Sequence, residues 1–368
     1  MQGICIDVFP VPEDRKYWVV RAGVGAHFFS HFVQNNLVAI GHADMLNLSA
    51  LEDTSFLSIE QKSKIISSHQ KFLLEKGESK SQVGNKNAQI KRFITDIKKN
   101  DIVISVNDER IIAGVIKSDC YFSDQSIELT DLVKVKDVKT CDFSLRYDVH
   151  WGRSQSRDKI PYPLERSLKN TGAVFGVNKS EHIQALNHWL FPIHLVNDEV
   201  RCSVNIASEK ALGNNEVANL SITYRQLELL SSFLKTCNGE NDASLDNFHN
   251  FLNDNASTFN YELTVQHAFM SPGVEYLQLN TNDFIKNIYF AAAFAALFNT
   301  QISVAEEIKA DMTVPSSKIA KLVEAVKIET KFSNSKSELN LKIKKADKAL
   351  LELDDGFGEA TPSNKLIL

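Results

Sequence analysis

Glu262 and Glu275 are the carboxylates whose setting comes nearest to hydrolytic chemistry in this chain. A metal-dependent nuclease core needs an acid on one strand and an acid-x-lysine on the next, so that two carboxylates hold Mg²⁺ and the lysine orients the attacking water. Both glutamates fall in a hairpin expected over Tyr261–Met270 and Val274–Leu279, hinged on Ser271-Pro272-Gly273. Glu275-Tyr276-Leu277, however, has leucine where the lysine belongs. Glu307-Ile308-Lys309 and Glu329-Thr330-Lys331 have the spacing but sit in helical sequence. His182, His188 and His194 recur every six residues, which turns successive imidazoles to different faces, and Pro192 interrupts any helix, so no metal site is expected from them. Gly23-Val24-Gly25 lacks the third glycine of a dinucleotide fingerprint, and no P-loop, His-Glu-x-x-His or nucleophile elbow appears. These residues lead to a reading without catalytic residues, metal or cofactor.

The other chemistry-bearing pattern is basic. Lys76, Lys80, Lys86, Lys91, Arg92, Lys98 and Lys99 cluster in one segment, diluted by Glu75, Glu78 and Asp96. The net charge of −5 speaks against a dedicated nucleic-acid protein, because phosphate binding draws its affinity from Lys and Arg. The charge is uneven, however. Residues 1–160 carry 22 Lys+Arg against 21 Asp+Glu, and the remainder 19 against 25, so a nucleic-acid face belongs to the front of the chain.

At 368 residues the chain is expected to form two or three domains. Its five cysteines are odd in number, dispersed and never in Cys-x-x-Cys, which points to a reducing, cytoplasmic setting. The start, Met1 to Asp7, lacks the basic and apolar regions of a secretory signal. The longest apolar run, Ile288 to Phe298, falls short of the ~18–20 residues that cross a bilayer.

The elements that must position these residues begin with a strand Tyr17–Arg21, the turn at Gly23-Val24-Gly25, a helix His27–Asn35 with Phe28, Phe29 and Phe32 at helical spacing, and a strand from Leu37 to Gly41. Asn47-Leu48-Ser49 leads to a helix Ile59–Lys76, a flexible loop Gly77–Asn87 and a helix Ala88–Lys98. Strands Ile102–Val106 and Ile111–Ile116 form a hairpin, followed by extended stretches at Ser126–Thr130, Leu132–Val138 and Leu145–His150. From Val200 the pattern changes to a strand Val200–Ile206, a loop Leu212–Glu216, a helix Tyr224–Leu234, a polar break at Asn238–Asp242 and a helix Leu245–Asn253. Phe284–Phe298 reads as a central buried helix, and Ser316–Lys331 and Lys336–Leu353 as charged helices.

Tyr17-Trp18-Val19-Val20-Arg21, the glycine turn and the following helix and strand resemble the PUA-like fold group, its EVE-type domains, and most closely the amino-terminal modules of Mrr-type modification-dependent restriction enzymes. The resemblance continues through Asp101-Ile102-Val103-Ile104, Ala113-Gly114-Val115-Ile116, Tyr121, Arg146-Tyr147-Asp148-Val149-His150-Trp151, Ile160-Pro161-Tyr162-Pro163-Leu164 and Ala173-Val174-Phe175, covering about residues 15–190. Asn100 stands where that family usually has glycine, and His42 where it usually has tryptophan.

The resemblance implies a PUA-like bent sheet or pseudo-barrel with flanking helices, and the pattern past Val200 adds a mainly helical domain containing the hairpin, an α+β fold. It makes residues 1–195 a nucleic-acid-reading domain, and the residue pattern beyond, with its polar break at Asn238–Asp242, divides the rest into a connecting strand and helix over 196–240, a partner, oligomerisation or effector domain over 241–353, and a tail over 354–368. It implies DNA or RNA as ligand, including a modified base held between aromatics. The candidates are Tyr17, Trp18, His42, Tyr121 and Trp151 for stacking, Arg21 and Arg110 as hydrogen-bond forks, and Lys86, Lys91 and Arg92 for phosphate. Trp18 and Trp151 also fit a core role, since both lie in alternating strands. The leading function is a non-catalytic sensor in an anti-phage defence or restriction system, signalling through a homo-oligomer or a partner effector bound at 241–353. The alternatives are a divergent metal-dependent nuclease or toxin with its site in residues 200–368, and a membrane-damaging effector acting through the helix 288–298.

Overall fold

The computed structural model of the protein describes residues 4–46, 48, 51–129, 140–157, 160, 162–169, 172–268, 272–303, 309, 311–344 and 347–351. In chain order the elements begin with β1 (Ile4–Asp7), β2 (Phe9–Pro10), β3 (Tyr17–Val20), α1 (Phe29–Gln34), β4 (Leu37–Ile40), α2 (Ile59–Glu75), α3 (Lys80–Lys91), β5 (Ile102–Val106) and β6 (Arg110–Ile116). Next come β7 (Tyr121–Phe122), β8 (Leu145–Trp151), β9 (Gln155–Ser156), α4 (Tyr162–Ser167), β10 (Val174–Gly176), α5 (Ser180–Leu190), β11 (Ile193–Val196), β12 (Glu199–Ile206), α6 (Asn214–Thr236) and α7 (Leu245–Asn255). The last are β13 (Leu263–Ala268), β14 (Gly273–Leu279), α8 (Phe284–Leu297), β15 (Thr300–Ser303), α9 (Ser316–Glu329), α10 (Phe332–Glu338), β16 (Leu341–Lys342) and α11 (Lys348–Leu351). The expectations for Leu132–Val138, Asn47, Ser49, Ser271, Glu307-Ile308 and the tail 354–368 lie outside the described residues.

The chain divides into two compact units. One joins Arg15–His182 to Asp347–Leu368, and the other joins Met1–Asp14 to Ile183–Ala346. In the first, a sheet ordered β10-β3-β5-β6-β8-β4, with β7 on β8 and β9 on β6, curls into a half-barrel flanked by helices. This is the α+β bent sheet that the sequence leads one to expect. Only β3 and β5 pair in parallel along that path, Tyr17 opposite Ile102 and Trp18 opposite Val103. Trp18, Phe32, Phe93, Val103, Tyr147 and Trp151 fill its core.

A buried carboxylate ties this unit together. Asp101 accepts hydrogen bonds from the Trp18 indole (2.8 Å) and from the amides of Lys98 (2.9 Å) and Lys16 (3.1 Å). Burial pushes its pKa up while the three donors act against the shift. Just before it, Asn100 sits at φ 71°, the left-handed region that asparagine enters at modest cost.

The segment 77–87, expected as a loop, is mostly helix. Ser79 opens α3 with a capping box, its hydroxyl accepting from the Gln82 amide (3.4 Å) while Gln82 Oε1 accepts from the Ser79 amide (3.0 Å). Ser58 and Gln61 do the same for α2. Past Lys91 the helix widens into a π-turn over Arg92–Asp96, where the Tyr147 hydroxyl serves the carbonyls of Phe93 (2.7 Å) and Ile97 (3.2 Å).

In the second unit the sheet order is β13-β14-β12-β11-β2, with β16 on β12, and β1 pairs separately with β15. The expected hairpin is present as β13 and β14 but is part of this larger sheet. Val200, Cys202, Val204, Leu277 and Leu279 face α6 and α8 in one core. From Lys286 to Leu297 every residue of α8 is buried, so this apolar helix lies in the core of the unit. Among the described residues no helix is long and apolar enough to cross a membrane.

Three segments differ from expectation. Residues 196–240 are no connection: β12 and α6 lie in the middle of this unit, because Val200–Ile206 and Leu220–Leu234 supply much of its apolar surface. The loop expected at 212–216 ends early, at Gly213, where α6 begins. The expected helix Lys336–Leu353 is broken at Asn340 (φ 48°), after which Ile206 and Asn205 pair with Leu341 and Lys342.

Candidate binding cavity

The half-barrel unit contains a cavity of about 660 Å³, walled by the ends of β3 and β4, by α3 and by the segments around Asn107, Phe143, Arg157 and Ala173. Its first wall is the glycine turn. Gly23 and Gly25 adopt φ 77° and 62°, and Ala26 follows at 56°, a tight left-handed path that brings main chain to the cavity and leaves Val24 89% exposed at its edge. Arg21, at the end of β3, is fixed by its own main chain, whose amide donates to Ala173 (2.8 Å), and by Nη2, which donates to the Leu168 carbonyl (2.6 Å).

The second wall is aromatic. β4 runs into a short 3-10 turn, Gly41–Ala43, that presents His42. The Phe143 ring lies directly on Gly41, where an added Cβ would come within 2.3 Å of Phe143 Cε1. Phe28 supports that ring edge-on, with centroids 5.1 Å apart. Burial first, then the charges of His69 and Lys86, lower the His42 pKa, so its ring is a neutral wall at neutral pH.

The third wall is α3. Lys86 and Gln89, three residues apart, share the helix face toward the cavity, and Gln89 Oε1 accepts the Ala173 amide (2.5 Å). Lys86 also pairs with Glu78. The opposite face carries Lys80, Gly84, Asn87 and Lys91, which with Gln70 and Leu74 of α2 line a separate groove of about 450 Å³. Arg157 completes the cavity. Its Nη1 donates to the Asn107 carbonyl (3.0 Å) and lies 3.6 Å from Asp108, whose side chain is fully exposed.

Of the residues picked from sequence, Arg21, His42 and Lys86 come together here. Lys91 lies on the neighbouring groove and Arg92 is exposed at the start of the π-turn. Arg110 is exposed at the start of β6, in a shallow hollow with Glu109 and Ser154–Ser156. The aromatic candidates are corrected. Tyr17, Trp18 and Trp151 are core residues at 2%, 6% and 8% exposure, with the Trp18 indole committed to Asp101 and the Trp151 indole to the Phe32 carbonyl (3.0 Å). Tyr121 donates to Asp148 (2.9 Å), and burial followed by that carboxylate raises its pKa. The aromatic ring on the cavity wall beside His42 is that of Phe143, and the second guanidinium is that of Arg157, neither marked by periodicity.

The carboxylates considered for nuclease chemistry stay apart. Glu275 is buried between the Tyr224 hydroxyl (2.7 Å) and His267 Nδ1 (2.9 Å), and pairs in register with His267. Glu262, bonded to Lys286 (3.0 Å), precedes the neighbouring strand β13, five residues before His267 and about 17 Å from it along the chain at the usual strand rise. Among the described residues no three His, Cys, Asp or Glu side chains converge to hold a metal ion. His182 meets Ser167 Oγ (2.5 Å), and the rings of His188 and His194 meet 5.0 Å apart.

Residues 18–160 match a family described as Domain of unknown function (DUF8426). The match runs from β3 through β9 and includes the two arginines, His42 and Phe143 of the cavity. Comparison with curated proteins and with solved structures gives no match.

Proposed function

We propose that the half-barrel unit reads DNA or RNA by taking one unpaired base into the cavity, and that the chain is a non-catalytic nucleic-acid sensor whose second unit passes the signal to another copy or to an effector. The observation that supports this most is the cavity's mixed lining, which combines the rings of Phe143 and His42 with Arg21, Arg157 and Lys86. A base stacked on an aromatic ring gains ~1–3 kcal/mol, which offsets the few kcal/mol spent in extracting it, least for a modified or unpaired base. Lys80 and Lys91, in the separate groove on the other face of α3, offer further phosphate contacts to a strand that passes over that helix. The resemblance to restriction modules adds a setting in anti-phage defence, and the free thiols of Cys120, Cys141, Cys202 and Cys237 accord with a cytoplasmic one.

Equilibrium binding of the full chain to matched single- and double-stranded oligonucleotides, with and without modified bases and at two salt concentrations, tests the reading. Single strands are expected to bind more tightly than duplexes, with affinity falling steeply as salt rises. No binding to any nucleic acid would overturn it.

A further inference from the structure

The two carboxamides on the cavity wall, Gln89 and Asn107, are each held in one orientation by main chain. Gln89 Oε1 accepts from the Ala173 amide (2.5 Å), and Asn107 Oδ1 accepts from the amides of Glu109 (3.0 Å) and Arg110 (2.6 Å). A main-chain N–H can only donate, so in both side chains the oxygen has to be the atom turned onto the backbone, and the NH2 group is what each keeps for a ligand. The other polar side chains of the lining shift the balance the same way. Arg21, Lys86 and Arg157 have no acceptor atom, whatever else they bind. Along the same walls the carbonyls of Gly23, Gly41 and Ala173 already accept from the amides of Ala26 (3.2 Å), Asp44 (3.4 Å) and Arg21 (2.8 Å). Among the described lining residues, the side-chain acceptors that remain are one nitrogen of the neutral His42 ring and the Asp108 carboxylate, which stands fully in solvent 3.6 Å from Arg157.

From this inventory we infer that Gln89 and Asn107 are specificity-determining residues, which select a base by its exocyclic carbonyl, as in guanine, thymine or uracil, over adenine or cytosine with an amino group there. This deepens the base-reading function and rests on it. Stacking on an aromatic ring is tolerant of base identity, so the choice among bases falls to the polar groups around Phe143. A carbonyl oxygen accepts along two directions and can satisfy two donors at once. An exocyclic amino group turned to the same place sets hydrogens against hydrogens, and in a partly closed cavity both sides are left unpaired. The two carboxamides come from separate segments, α3 and the turn before β6, so each can be altered without the other.

The test titrates the full chain with short strands that carry a single base among abasic positions, the base being uracil, cytosine, hypoxanthine or adenine. Uracil against cytosine, and hypoxanthine against adenine, exchange a carbonyl for an amino group at constant ring size. The carbonyl base of each pair is expected to bind at least about 10-fold more tightly, the order of the cost of leaving a buried donor unpaired. Gln89→Glu and Asn107→Asp are measured alongside, with thermal melting as the folding control. Each keeps an oxygen for its main-chain amides and puts an acceptor where the NH2 group was. Either should cut the preference to less than about 2-fold or reverse it, and because strands are compared within one protein, the added charge cancels from the ratio. Equal binding within both pairs, or a preference for the amino bases, would overturn the donor-lined site while leaving base reading standing. A carbonyl preference unchanged in both variants would overturn the assignment to Gln89 and Asn107. No binding of any strand, with or without its base, would overturn the base-reading function together with this inference.

Discussion

Phe143→Ala is expected to weaken binding of a single-stranded oligonucleotide by about 10- to 100-fold, the loss of one base-on-ring stack worth ~1–3 kcal/mol. The ring is half-buried and lies at the rim of the core, touching Phe28 edge-on, so its removal should lower thermal stability far less than it lowers affinity. Gly41→Ala offers an independent route to the same defect. The new Cβ would press into the ring from beneath and displace it without deleting it, so this variant should bind weakly as well. Phe143→Tyr, which keeps the ring, should bind nearly as tightly as the natural chain. Full affinity in Phe143→Ala, with the fold intact, would mean the base does not rest there.

The second large effect is on the stability of the unit built on α6 and α8, and it is expected on acidification. His194 is completely buried, its Nδ1–H donating to the Phe191 carbonyl (3.0 Å), and burial depresses its pKa to about 3. His188, ring to ring with it at 5.0 Å, is depressed by burial, by His194 and by Arg201. Both are therefore held neutral in the fold and take up a proton on unfolding once the pH drops below about 6.5, their ordinary value. The stability they contribute is complete above pH 6.5 and is lost progressively as the pH falls toward 3. For His194 alone the loss is about 2 kcal/mol at pH 5. Hydrogen exchange across the strands Ile193–Val196 and Glu199–Ile206 should report an opening free energy that shrinks between pH 7.5 and pH 5, after correction for the intrinsic exchange rate. His194→Asn keeps a donor for Phe191 but cannot titrate, so it should be less stable at pH 7.5 and show a shallower pH dependence. An unchanged slope in that variant would rule out His194 as its source.

Much of the half-barrel was legible in the sequence because local pattern and tertiary structure agree there. Ile102–Val106 and the stretch from Leu145 alternate or run apolar as strands buried on both faces should, and they pair as such. α8 was equally plain, since a helix apolar on every side has to be central. The start of α3 was missed although its signal was present, the Ser79-x-x-Gln82 capping box, because the glycines, serines and asparagines around it read as loop. The break at Asn340 could not be seen in that way, because what ends the helix is the pairing of Leu341 with Ile206, 135 residues earlier in the chain.

The cavity was legible only in part, for a similar reason. Arg21, His42 and Lys86 stood out by residue type near the glycine turn and in the basic segment. Trp18 and Trp151 stood out more strongly as aromatics, but their polar atoms are taken by Asp101 and by the Phe32 carbonyl, 83 and 119 residues away. Phe143 and Arg157 lie just outside β8 and β9, where no periodicity marks a face, and they reach the cavity only once the sheet has curled. The family match over residues 18–160 encloses both of them.

The most direct measurement follows the base itself. An oligonucleotide carrying the fluorescent base 2-aminopurine at one position is titrated into the full chain, and its emission is compared with the anisotropy of an end label that reports binding of the strand as a whole. A base entering the cavity changes its stacking partners from neighbouring bases to Phe143, so emission from one labelled position should change and saturate in step with binding. In Phe143→Ala that response should vanish while weak, salt-sensitive binding persists through Lys80 and Lys91. Tight binding with no change in emission at any labelled position would contradict the account, because the strand would then be held on the surface with its bases outside the cavity.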